Sequence, residues 1–207
     1  MRALLLLCIL GPLTALAEGR SVLERPGVEI GLLGGWQRYT PSPSSYFSLS
    51  GFGVGGEFQY RFRNGLAVGV TATYSQACYD NAGGVSPCVT QIPVVLELAW
   101  GKSLGGLVRP WIGLGSGLGF IRWTNSAYDV EDQGYAGTGL EVIYLRIRAG
   151  IDMTIPVHEL GLTIGFFVAV SLATAPEPDP TGLGNYAAHQ NYAIGFRLLL
   201  VIPTGDP

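Results

Sequence analysis

From Val28 onward one pattern repeats. Apolar side chains alternate with polar or small ones in segments of about ten residues, and turn residues separate the segments. Period two belongs to an extended strand, whose successive side chains point to opposite faces. The pattern predicts eight strands, at Val28–Tyr39, Gly51–Phe62, Leu66–Ser75, Val89–Gly101, Leu107–Trp123, Leu140–Ile155, Gly161–Leu172 and Asn191–Ile202. No segment of comparable length has a helical period. Beyond the N-terminus none is an unbroken apolar stretch of the roughly 20 residues that a spanning helix needs. With 48% apolar residues, the sheet must either wrap them into a core or turn them outward to lipid.

The connections alternate in length. Arg63-Asn64-Gly65, 102–106 and 156–160 are short, whereas 40–50, 76–88, 124–139 and 173–190 are long. Short turns at one end and long loops at the other fit an outer-membrane barrel with its short turns in the periplasm, and an even strand count returns both termini to that side. The first short turn also has to keep the two faces consistent. A three-residue turn, with Gly65 free to take a positive φ, pairs Phe62 with Leu66, Arg61 with Ala67 and Glu57 with Thr71. A two-residue turn would set Arg61 against Val68, on the opposite face.

The faces settle which way the sheet is turned. One carries Ile30, Leu32, Phe58, Val68, Leu96, Leu114, Ile147, Phe166 and Leu198 with their like. The other carries Glu29, Glu57, Arg61, Glu97, Arg109, Arg146, Arg148, Asp152 and Arg197 among glycines, threonines and glutamines. A charge facing lipid near the midplane would cost about 2–4 kcal/mol, so the charged face is the lumen. Trp36, Phe52, Tyr74, Phe120 and Tyr192 toward the long loops, and Tyr60, Phe62 and Trp100 toward the short turns, suit two interfacial girdles.

Upstream, Met1-Arg2 leads into an apolar run from Ala3 to Leu10, and Ala15-Leu16-Ala17 precedes Glu18. A basic start, a short apolar run and a small-x-small site read as a signal peptide, residues 1–17, cleaved on export. Residues 18–27 then form a periplasmic lead-in, 28–202 the barrel and 203–207 a periplasmic tail. Losing Arg2 moves the formal charge from −3 to about −4, which leaves no basic footprint for nucleic acid. Export also exposes Cys78 and Cys88 to an oxidising compartment, where a close even pair is expected to form a disulfide. Neither has the further Cys or His ligands of a zinc site.

The pattern as a whole, with two local stretches, resembles the small outer-membrane barrels of the OmpA, OmpX and OmpW type. Arg109-Pro110-Trp111-Ile112-Gly113-Leu114-Gly115-Ser116-Gly117 is similar to a glycine-alternating strand common in them. Ala193-Ile194-Gly195-Phe196-Arg197-Leu198-Leu199-Leu200 resembles the assembly signal of a last strand, with Ala193 where a polar residue is usual. The resemblance implies an all-β, eight-stranded antiparallel up-and-down barrel in the outer membrane of a Gram-negative bacterium. Outer-membrane lipid and the barrel assembly machinery would be its partners.

Four carboxylates face five arginines, and an eight-stranded interior is only just wide enough for its own side chains. A structural ion-pair network is therefore expected, ahead of a pore or acid–base catalysis. A carboxylate beside arginines stays ionised, the wrong state for a general acid. Gly113, Gly115, Gly117 and Gly119 lie on the lumen face of the fifth strand without the turn and helix of a nucleotide site. Aligning Trp123 with Leu140 would set Tyr144, Arg146 and Arg148 opposite Gly119, Gly117 and Gly115, so the glycines make room for large neighbours. Ser171 and His189 flank the last long loop, but the His-x-Ser-Asn run similar to the lipid A deacylases is missing. The long loops carry Asp80, Asp129, Glu131, Asp132, Glu177 and Asp179 with several tyrosines and no Lys or Arg. That composition suits a contact surface for an extracellular partner, and the acidic run lacks a calcium-loop pattern. The expected function is a non-enzymatic barrel with a filled polar lumen, structural or contacting partners through its loops, and without cofactor or metal. A narrow conduit for small or apolar solutes is the alternative, with a lipid-modifying enzyme behind it.

Overall fold

The computed structural model describes residues 22, 24–40, 49–78, 88–105, 107–124, 137–176 and 186–204. For 123–124, 137–142, 175–176 and 186–189 only the backbone is described. The signal peptide, most of the lead-in, the tips of the four long loops, the side chain of His189 and residues 205–207 lie outside the described residues.

Eight strands follow one another: β1 (Gly27–Thr40), β2 (Leu49–Arg61), β3 (Leu66–Cys78), β4 (Cys88–Gly101), β5 (Val108–Thr124), β6 (Gly137–Val157), β7 (Leu160–Pro176) and β8 (Tyr186–Pro203). Each pairs antiparallel with its neighbours in the chain. β1 closes on β8 from Gly27 opposite Pro203 to Thr40 opposite Gln190, so no edge is left open. In lipid only such closure satisfies every backbone donor and acceptor. All eight predicted segments are strands. Several run further toward the long loops than the apolar alternation does, β3 through Gln76-Ala77-Cys78 and β7 through Thr174-Ala175-Pro176. The hydrogen-bonded ladder needs only backbone, so it continues where no lipid selects the outward side chains.

The outward face is apolar from end to end of the barrel wall. Leu32, Leu96 and Phe166 are 65–70% exposed, and Trp36, Phe52, Tyr74, Phe120 and Tyr192 gather toward the long loops. The inward face buries every one of the nine charged residues that the alternation assigns to it. This chain is therefore built as a transmembrane β-barrel of the outer-membrane type.

The turn after β2 has the three-residue form. The Phe62 amide donates to the Leu66 carbonyl at 2.7 Å, the Gly65 amide donates to Phe62 at 3.1 Å, and Gly65 has φ +83°. Arg61 accordingly faces Ala67, and Glu57 faces Thr71. Across β5 and β6 the expected alignment is corrected by two residues from Gly117 toward the periplasm and by three toward the loop, where Trp123 faces Gly137 and not Leu140. Arg148 faces Gly113, Arg146 faces Gly115 and Tyr144 faces Gly117, with a register shift between Gly117 and Gly119. These strands are joined by a long loop, which imposes no register. The alignment is instead fixed lower in the barrel, where Arg109 faces Asp152 and binds it. The shift keeps the same residues in the lumen, because two residues preserve the face.

Curvature is tightest where glycines let strands approach. A Cβ on Gly31 would lie 1.9 Å from the Leu198 carbonyl oxygen across the β1–β8 seam. Gly31→Val is expected to prevent closure, so that the protein loses the heat-dependent shift in electrophoretic mobility shown by a folded barrel. A variant that keeps that shift would refute a steric role for Gly31. At the opposite end, Cys78 and Cys88 face each other at the loop ends of β3 and β4 and are bonded. Closing so short a loop stabilises by about 2–3 kcal/mol in a chain-entropy treatment. Because the bond lies outside the apolar belt, reduction is expected to lower the urea midpoint while the reduced protein remains a folded barrel by circular dichroism.

Candidate functional site

The nine inward charges form one continuous chain in which arginines and carboxylates alternate. It runs Arg61, Glu29, Arg109, Asp152, Arg197, Glu57, Arg148, Glu97, Arg146. The Arg109 guanidinium donates from Nη1 and Nη2 to the two oxygens of Glu29 at 2.8 and 3.0 Å, and from Nε and Nη2 to Asp152 Oδ2 at 3.1 and 2.8 Å. Arg197 forks onto Asp152 from Nε at 2.9 Å and Nη2 at 2.6 Å, and its Nη1 reaches Glu57 at 3.0 Å. Arg148 continues from Glu57 at 3.2 Å to Glu97, with Nε at 2.9 Å, and Arg146 meets the other Glu97 oxygen at 2.8 Å. Every carboxylate is thus shared by two guanidiniums. Forked, charge-assisted bonds of this kind are the strong ones.

The chain zigzags across the lumen because its members come from β1, β2, β4, β5, β6 and β8. β3 joins through the Thr71 hydroxyl, which accepts from Arg146. Its room is made by small residues. A Cβ on Gly165 would lie 2.3 Å from Asp152 Oδ1, and one on Gly113 would lie 2.9 Å from Glu97 Oε1.

Trp111 belongs to the same site, although its role went unread in the sequence. Its indole N–H donates to Asp152 Oδ1 at 3.0 Å, the Arg197 guanidinium lies 4.0 Å over its ring, and Arg148 lies 5.2 Å away. Parity did signal it, since Trp111 shares a face with Arg109 and Gly113. Gly150 stands opposite, where a Cβ would lie 2.8 Å from the indole.

Among the described residues, apolar side chains gather at both ends of the lumen. Toward the long loops Tyr39, Leu49, Ala77, Val89 and Ile121 form a buried apolar cluster. Toward the periplasm Val22, 4% exposed, is tucked against the barrel, and Arg61 Nη2 donates to the carbonyls of Val22 at 3.3 Å and Arg25 at 3.4 Å. No periodicity in this segment marks the seat of Val22. Between network and apolar cluster lies a cavity of about 70 Å³, bordered by Arg146, Arg148, Tyr144, Ser75, Ser171 and Asn191. Among the described residues no group of His, Cys, Asp and Glu is placed to hold a metal ion. The Ser171 side chain is buried inside the barrel, and the backbone of His189 pairs with Ala173.

No protein-family profile and no curated protein matches the sequence. Solved structures do share its architecture. Neisserial surface protein A has 14% identity and a TM-score of 0.48, with 83% of this chain and 96% of that one covered. Outer membrane protein OprG from Pseudomonas aeruginosa has 16% identity and a TM-score of 0.42, covering 86% and 98%. The outer membrane enzyme PagL has 15% identity and a TM-score of 0.41, covering 86% and 99%. At these values the likeness is one of architecture.

Removing one partner of a buried ion pair strands a charge, at a cost of about 3–5 kcal/mol. Glu57 joins the two halves of the chain, so Glu57→Ala is expected to destabilise the barrel by about that amount in urea unfolding from detergent micelles. Adding Arg197→Met should recover part of the loss, since Arg148 keeps Glu97 and Asp152 keeps Arg109. A loss below about 1 kcal/mol for the single variant would mean that the pairs are screened as surface pairs are.

Proposed function

We propose that the chain is a non-enzymatic outer-membrane barrel of a Gram-negative cell, closed to ions, whose rigid wall carries four long loops to the cell surface. The observation that carries this reading is the unbroken chain of five arginines and four carboxylates paired across the lumen. A permeating ion would have to part forked guanidinium–carboxylate pairs, with Val22 below them and the apolar cluster above. An acid catalyst would need a carboxylate able to hold a proton, and each one here is shared by two guanidiniums. The loops, acidic and tyrosine-bearing without Lys or Arg, suit a partner with a basic or amphipathic surface.

In a planar lipid bilayer the purified protein is expected to give no steady conductance at moderate voltage. Incubation with lipopolysaccharide should leave its acyl chains unchanged by mass spectrometry. A reproducible open state would favour the conduit function, and shortened lipid A would favour the enzyme.

A further inference from the structure

The alternating chain has an arginine at each end, and so carries one positive charge more than its own four carboxylates balance. At the periplasmic end Arg61 Nη2 donates to the carbonyls of Val22 and Arg25, while its Nε and Nη1 have no hydrogen-bond partner among the described residues. At the other end Arg146 has, among the described residues, one carboxylate, Glu97, and the Thr71 hydroxyl. Its Nε–H is buried and has no hydrogen-bond partner among the described residues, in a side chain that is only 7% exposed. Buried guanidinium donors are rarely left so, because the lost hydration is not returned.

Arg146 borders the cavity of about 70 Å³, whose wall also carries Thr73, Ser75, Ser171 and Asn191 and includes no carboxylate. That is room for one ion and some water. We propose that this cavity is a binding site for a single small inorganic anion of the chloride class. The anion accepts from Arg146 Nε–H and from the hydroxyls of Thr73 and Ser171. Ser75 is engaged with the Gln91 carbonyl at 3.5 Å. Asn191 donates its amide hydrogens to Gln37 at 3.1 Å and Gln91 at 3.2 Å, and its Oδ1 is left without a donor. A water that hydrates the anion satisfies that oxygen. The anion completes the charge alternation at the open end, where Arg61 at the far end has carbonyl dipoles instead.

The test refolds the full barrel from urea into detergent in chloride or in gluconate, at equal ionic strength so that screening is the same. Gluconate is too bulky for the cavity. Above the dissociation constant, each tenfold rise in chloride should lower the unfolded-to-folded ratio at fixed urea by about tenfold, and gluconate should not. Crystals grown in bromide should show an anomalous peak beside Arg146 Nε. Ser171→Val, which lies outside the ion-pair chain and fills part of the cavity, should abolish the chloride preference and keep the fold. If Ser171→Val does not fold, the bromide peak decides alone. Equal stability in the two anions with no bromide peak overturns the proposal. A chloride preference that persists in Ser171→Val without the peak overturns it too, because the effect then arises elsewhere.

Discussion

Sharing one carboxylate between two guanidiniums is the interaction on which the interior depends. A barrel of eight strands encloses too little space for water to solvate nine charges, so the charges must solvate one another. Alternation sets a carboxylate between successive guanidiniums, and the planar forks of arginine set the directions. Lysine would supply a charge without the planar fork, so arginine at Arg109, Arg148 and Arg197 follows from the geometry. Trp111 adds an N–H to Asp152 and an aromatic face to Arg197, and Phe167 offers a second ring, 5.5 Å from Arg148.

The glycines serve the same end from the opposite direction. Gly113, Gly150 and Gly165 stand where a Cβ would press into Glu97, Trp111 and Asp152. Gly31 lets β1 and β8 approach at the seam. Large and small positions therefore answer each other across strand pairs, and the closed wall and the filled interior are one packing problem.

Much of this was legible in the sequence. Period-two alternation fixed the eight strands and both faces, because lipid leaves little choice about which side chains turn outward. The Arg63-Asn64-Gly65 turn gave a register because only one count kept Arg61 inside. Between β5 and β6 the register was misjudged by two residues, since a long loop transmits no constraint and the deciding contact is Arg109 with Asp152, forty-odd positions apart in the chain. Which arginine meets which carboxylate was not legible at all. That depends on strand tilt, which carries Arg148 on β6 to Glu57 on β2 and leaves no mark in local sequence. Val22 was unreadable for another reason, since one apolar residue in a polar segment has no pattern to stand out from.

The order of the ion pairs along the chain bears on how such a molecule comes apart. Glu57 and Arg197 are 140 residues apart in sequence, and Glu29 and Arg109 are 80 apart. The first of these needs the last strand and the second needs the fifth, so contacts of this span form late and contribute little to the path into the barrel. They stand instead against departure, since a strand cannot leave until its forked bonds break in a space that offers no water to replace them. Bonds made late in folding slow unfolding more than they hasten folding. The lumen therefore acts as an internal lock, and durability in the envelope becomes a matter of rate as much as of equilibrium.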